Sequence, residues 1–200
     1  MLNCGGFVGA FLLCCACALL IVASISSPVY RQISFLDVYI SGQHLTFGVF
    51  GYCVDSGCSA RQIGYELPAI ASYLGISASS NSTVSTVLNL TKALVLHPVA
   101  AGLAFLAFIV ALLSDHLGYL LSSFIALLAF VASAVALGFD FALFTVAKNE
   151  LYKNSSSLGG DVSASYGTAI WLTLAATVLL FLSTFAVCFG CCAHRRSSRY

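Results

Sequence analysis

Apolar residues do not alternate with polar ones along most of this 200-residue chain; they run together. Four runs, Phe7 to Ser26, Leu94 to Leu113, Leu120 to Phe144 and Thr168 to Cys192, are each long enough to cross about 30 Å of hydrocarbon at about 1.5 Å per residue. In lipid a backbone must satisfy its own hydrogen bonds. Uninterrupted runs of this length, with Pro confined to segment starts, predict helices rather than barrel strands. The expected fold is an all-α membrane protein, a four-helix bundle forming one domain over residues 1–200. A second reading of the first run is a cleaved signal peptide, with "ASISS" as the cleavage region. A retained span is expected, because the run exceeds the usual apolar core of about 7–15 residues and no basic residue precedes it.

Between the first two runs the pattern changes. "FLDVYISG" and "HLTFGVFGYC" alternate partially around a break at Gly42-Gln43 and predict a β-hairpin. "ARQIGYELPAI" supplies an expected third strand, which would let a sheet lay one apolar face on the ends of the helices. "GISASSNSTVST" reads as an exposed loop. The segment Thr145 to Gly167 is short, and "SDHLGY" is a turn between the second and third spans. Small residues at four-residue spacing, Gly5 with Gly9, Ala100 with Ala104 and Ala129 with Ser133, allow close helix approach, within one bundle or in a homo-oligomer.

Composition agrees with a bilayer solvent. Residues are 60% hydrophobic and 8% charged, and the mean hydropathy is +1.00. A soluble domain is about 25% charged. A net charge of +1 with scattered bases offers no phosphate-neutralising face, which excludes a nucleic-acid partner.

Arg195, Arg196 and Arg199 follow the last span, whereas Thr145 to Gly167 balances Lys148 and Lys153 against Glu150 and Asp161. The positive-inside rule then puts both termini in the cytoplasm and Ser27 to Ala93 and Thr145 to Gly167 outside. Three N-glycosylation acceptors, Asn81, Asn89 and Asn154, all fall in those outer segments, with Asn89 close to the membrane. The tail arginines fix topology and touch anionic lipid.

Cys53 and Cys58 bracket "VDSG" in the outer segment, an oxidising setting in which a thiol pair becomes a disulfide. The Asp55-Ser56-Gly57 turn residues would let that bridge close a tight reversal between strands. Zinc would need two further ligands, and His44 is the one His in this loop. Cys188, Cys191 and Cys192, beside "AHRR", are candidate palmitoylation sites; Cys188 and Cys191 also form a C-x-x-C pair that His194 or His116 would have to complete for metal chemistry. Cys14, Cys15 and Cys17 lie at bilayer depth and read as small hydrophobes. Asp140 is the one acid inside an expected span, about a turn from the interface, where water or Lys148 would satisfy it. His97, with Pro98 in a first helical turn, reads as an interfacial residue. No phosphate loop, zinc helix, nucleophile elbow or paired acids occur, so neither an enzyme nor a cofactor is expected.

"HLTFGVFGYCVDSGCSARQIGYEL", "HPVAAGLAFLAF" and "GFDFALFTVAKNEL" together resemble the fungal PalI family over nearly the whole chain. Gly51, Tyr52, Cys53, Cys58, Gly64 and Tyr65 match its signature, and Asp140 matches within "DFALF". The resemblance implies a claudin-like four-span protein with a small disulfide-stapled outer β-sheet. It also implies a plasma-membrane location and no catalysis. Expected partners are membrane lipids and either a pH-sensing receptor or components of eisosomes, the cortical membrane patches. PalI proper continues into a long hydrophilic cytoplasmic region, whereas this sequence ends at Tyr200, so the expected role is membrane organisation or signalling accessory. Accessory to an ambient-pH receptor is the alternative, and a small transporter using Asp140 a remote one.

Overall fold

The computed structural model describes residues 4–40, 42–64, 92–113, 116–153 and 162–197, without the side chains of 4–6, 116, 117, 119, 150, 153 and 188–197. Tyr65, Asn81, Asn89 and Asn154, and the side chains of Cys188, Cys191 and Cys192, lie outside the described residues.

Helix α1 covers Cys4–Ser24. Strands β1 (Leu36–Ile40), β2 (Gln43–Phe47), β3 (Tyr52–Val54) and β4 (Gly57–Cys58) follow. Then come α2 (Leu96–Leu113), α3 (His116–Lys153), β5 (Val162–Tyr166) and α4 (Thr168–Ser197). All four helices are long and apolar enough to cross a membrane. Helix α3 runs nine residues past the expected end at Phe144. Its 38 residues span about 57 Å, nearly twice the thickness of a hydrocarbon core.

The chain packs as two compact units. One draws on the described residues of 1–22, 96–135 and 172–200. Its core is made of small side chains at helical spacing: Leu13, Ala16, Cys17 and Leu20 on α1, Ala100, Ala104, Ala107 and Ala111 on α2, Ala126 and Ala129 on α3, and Ala176 and Leu180 on α4. Small residues are needed because lipid offers helices no hydrophobic contrast, so close packing and interhelical hydrogen bonds must hold them. A Cβ on Gly9 would come within 2.6 Å of Val187 Cγ2, so α1 and α4 touch at the expected small-residue position. The Ser133 and Thr177 hydroxyls lie 2.6 Å apart between α3 and α4. Ser122 donates to the Ala107 carbonyl of α2 at 2.8 Å.

The other unit draws on the described residues of 23–95 and 136–171. Its antiparallel sheet has the order β4-β3-β2-β1-β5. The hairpin around Gly42 is as the alternation predicts, with Ile40 opposite Gln43 and Leu36 opposite Phe47. Leu36, Val38, Ile40, Leu45 and Phe47 are buried on one face. Two expectations are corrected. The run through "HLTFGVFGYC" is broken rather than continuous: Gly48 N–H donates to the Gly51 carbonyl and turns the chain from β2 into β3. The next strand is Tyr52–Val54; of the strand expected in "ARQIGYELPAI", residues 65–70 lie outside the described residues and residues 60–64 form none. There the chain folds back instead, with Gln62 N–H donating to the Phe50 carbonyl and Gly64 at φ +71°.

The sheet's fifth strand comes from the second, short segment. Its β5 pairs with β1 along its whole length, Leu36 opposite Tyr166 and Ile40 opposite Val162. At the seam, Gly167 N–H donates to the Phe35 carbonyl and Ala169 N–H to the Ser34 carbonyl, both at 2.9 Å. A Cβ on Gly167 would collide with the Ser34 carbonyl and hydroxyl. Gly167→Ala is expected to destabilise this unit by about 1–3 kcal/mol, the usual overpacking cost. Thermal unfolding in detergent checks it, with Gly138→Ala, whose added Cβ meets nothing within 4 Å, expected to leave the midpoint unchanged.

Candidate functional site

The chemistry-bearing residues outside the helical core gather on the second unit's sheet. Asp55 and Ser56 turn the chain between β3 and β4, as their turn propensities predict, and bring Cys53 opposite Cys58. The two are joined by a disulfide with their Cα atoms 4.0 Å apart. Both thiols are consumed, so this pair ligates no metal. Cys53 is 2% exposed, whereas Cys58 lies at the surface.

The residues beside the bridge close it into a knot. Tyr52 N–H donates to Ser59 Oγ at 3.1 Å, and Ser59 N–H returns to the Tyr52 carbonyl at 2.9 Å. Gly51 faces that seryl oxygen and the Pro28 ring, leaving no room for a Cβ. This gives the Gly51-Tyr52-Cys53 run its physical reason. At Gly64, the positive φ and a Lys92 Cγ 2.6 Å from the place of a Cβ do the same. Sequence reasoning missed Arg31. Its guanidinium donates to the Val54 carbonyl at 2.6 Å and lies 3.4 Å from Cys58 Sγ, pinning the segment before β1 across the stapled hairpin.

That segment covers one end of the sheet's second face. Register places Ser165, Asp37, Thr46, Cys53 and Cys58 in one row across the five strands. Thr46 is buried where Ser27 Oγ donates to its hydroxyl at 3.2 Å, and Ser26 Oγ accepts from Val49 N–H. At the other end of this face Tyr39 is half exposed, and Ser163 and Ser165 of β5 are exposed. Here Ser34 Oγ donates to Asp37 Oδ1 at 2.7 Å, and His44 Nε2 lies 3.5 Å from the same oxygen. The His44 and Tyr39 rings stack at 4.2 Å. Asp55 Oδ2 accepts from His44 N–H at 2.9 Å. The serine bonds to the carboxylate and not to the imidazole, so the trio lacks the base-to-nucleophile contact that activates a hydroxyl. Among the described residues no three His, Cys, Asp or Glu side chains converge to hold a metal.

The opposite face meets α3. Tyr166 is edge-on to Phe141 at 5.8 Å, reaches Thr145 Oγ1 at 3.2 Å and lies under Lys148 Nζ at 4.7 Å. These three helical positions share one face. Lys148 thus contacts Tyr166. Asp140 is 1% exposed, buried rather than water-facing, in a stripe with Ala136, Leu143 and Phe144. Phe144 stacks on Phe35 at 6.0 Å. His97 is also fully buried within the protein.

The geometry can be set beside known proteins. Residues 6–183 match the SUR7/PalI family. The chain belongs to that family. A pH-response regulator of Pyricularia oryzae is 31% identical over 188 residues, covering 90% of this chain and 23% of the relative. A pH-response regulator of Neurospora crassa is 39% identical over 110 residues, covering 52% of this chain and 15% of the relative. A membrane protein of Saccharomyces cerevisiae named as uncharacterized is 35% identical over 106 residues, 53% of this chain and 18% of its own. The chain thus spans less than a quarter of the length of these relatives.

Replacing Cys53 and Cys58 together by Ser is expected to lower unfolding stability by about 2 kcal/mol, the loop-entropy value for so short a ring. Arg31→Met should lose less and leave the bridge formed. Thiol titration with and without reductant, paired with thermal unfolding, checks both.

Proposed function

We propose that this SUR7/PalI family member is a non-enzymatic accessory of ambient-pH signalling in the fungal plasma membrane. The observation that carries the reading is its likeness over 90% of its length to a protein named as a pH-response regulator. The whole chain would act as one four-span domain with both termini cytoplasmic and the stapled sheet outside. Support for that orientation comes from Arg195, Arg196 and Arg199 after the last span and from sequons at Asn81, Asn89 and Asn154 in the two segments between spans that would lie outside. Palmitoylation of Cys188, Cys191 and Cys192 would strengthen anchorage at the inner leaflet.

The geometry is compatible with a scaffold rather than a catalyst. The outer unit is a rigid small sheet with no activated nucleophile among its described residues, and its polar groups largely bond to one another. Such a surface offers contacts to a partner, for which a pH-sensing receptor is the proposed candidate, or to lipid. Gly51, Tyr52, Gly64 and Asp140 would serve this role by shaping and seating the sheet. A second reading is organisation of cortical membrane patches, which homo-oligomers through the small-residue helix faces would suit.

Deleting the chain from its host is expected to slow growth at alkaline pH and leave growth at acidic pH unchanged. Normal alkaline growth together with dispersed cortical patches would favour the second reading instead. Asp140→Asn should sustain the same complementation as the native chain, whereas a transport role would lose it.

A further inference from the structure

The open end of the sheet's polar face has the form of a ring-binding slot. Tyr39, the fourth residue of β1, is flanked by His44 on β2 and Ser163 on β5. The Tyr39 and His44 rings are 4.2 Å apart and within 8° of parallel, close to the strand spacing of about 4.8 Å. The stack therefore runs across the strands. One face of Tyr39 is taken by the imidazole, and the other is turned toward β5. There the opposing residue is a serine, small and exposed, as is Ser165 two positions on. Tyr39 remains 50% exposed, and β5 is the terminal strand of the described sheet.

A third ring of the same thickness would lie over β5 at the next strand spacing, continuing the stack. Around that place are the hydroxyls of Ser163 and Ser165 and the carboxylate of Asp37, which is opposite Ser165 in register. The contacts of that carboxylate with Ser34 and His44 both fall on Oδ1, so its second oxygen can accept from a ligand. An aromatic wall of negative π-face attracts C–H groups of partial positive charge. Hydroxyls and a carboxylate beside it accept from and donate to a ring carrying equatorial hydroxyls. The Asp37 carboxylate disfavours an anionic ring, so the place suits a ligand without negative charge. From these features the geometry points to a binding site for a neutral pyranose unit of a polysaccharide, with Tyr39 as the stacking platform and Ser163, Ser165 and Asp37 as the hydrogen-bonding rim. The bond is noncovalent and the sugar leaves unchanged. The source of the sugar, an external polysaccharide, rests on the outward orientation proposed above, but the site itself does not.

The test uses the full chain in lipid nanodiscs, which expose both membrane sides, so its outcome is independent of orientation and of any pH-response phenotype. Fluorescent laminarihexaose, chitohexaose and maltohexaose are titrated in turn. Saturable binding of at least one is expected, weakened about tenfold or more by Tyr39→Ala, restored by Tyr39→Trp and reduced by Ser163→Val. Thermal unfolding of each variant, unchanged from the native chain, separates lost contact from lost fold. Absence of saturable binding to all three, or binding that Tyr39→Ala leaves intact, would overturn the assignment. So would Tyr39-dependent binding of tryptophanamide where no oligosaccharide binds, which would give the place to an aromatic side chain.

Discussion

Two consecutive residues, Ser34 and Phe35, carry the backbone hydrogen bonds on which the sheet unit depends. Phe35 N–H donates to the carbonyl of Phe47, the last residue of β2, its own carbonyl takes Gly167 after β5, and the Ser34 carbonyl takes Ala169 in the first turn of α4. Both residues are buried, where an unpaired backbone group is costly, so these partners are obligatory. The Phe35 ring adds the stack on Phe144. One dipeptide thereby fastens β2, the end of β5 and the entry to α4 around β1, two segments distant in sequence becoming one sheet.

Much of this was legible in the chain. The four spans follow from run length, and the first hairpin from alternation broken at Gly42. The Cys53–Cys58 bridge follows from turn residues and compartment. The separation of β2 from β3 is not legible because alternation continues through "HLTFGVFGYC" while the bend at Gly48 depends on a tertiary crowding: a Cβ there would strike the Ser27 backbone. β5 is hard to read although "VSASY" has period two, with Ala164 buried and Ser163 and Ser165 exposed, and is flanked by Gly159-Gly160-Asp161 and Gly167; five residues with no large apolar side chain but Val and Tyr are short of a strand pattern until β1 supplies the partner. Arg31 was invisible because its role is set by residues 23 and 27 positions away. The burial of Asp140 escaped because its expected depth was counted from the end of an apolar run, and α3 continues beyond that end.

The two faces of the sheet divide the labour. One lays Leu36, Val38 and Leu45 into the core and rests Tyr166 on Phe141, Thr145 and Lys148. The other is tied down at the disulfide end by Arg31 and Ser27 and left open at Tyr39. Rigidity at one end is what makes the open end a fixed surface, since a stapled sheet presents its side chains with little ordering cost on contact.

The proposed function requires that face to be outside the cell, and cysteine labelling tests this most directly. Ser163→Cys, carried by spheroplasts and treated with a membrane-impermeant maleimide, should be labelled without permeabilisation and to the full extent seen after it, over the background of the native chain. Labelling that requires permeabilisation would put the sheet in the cytoplasm and contradict the account.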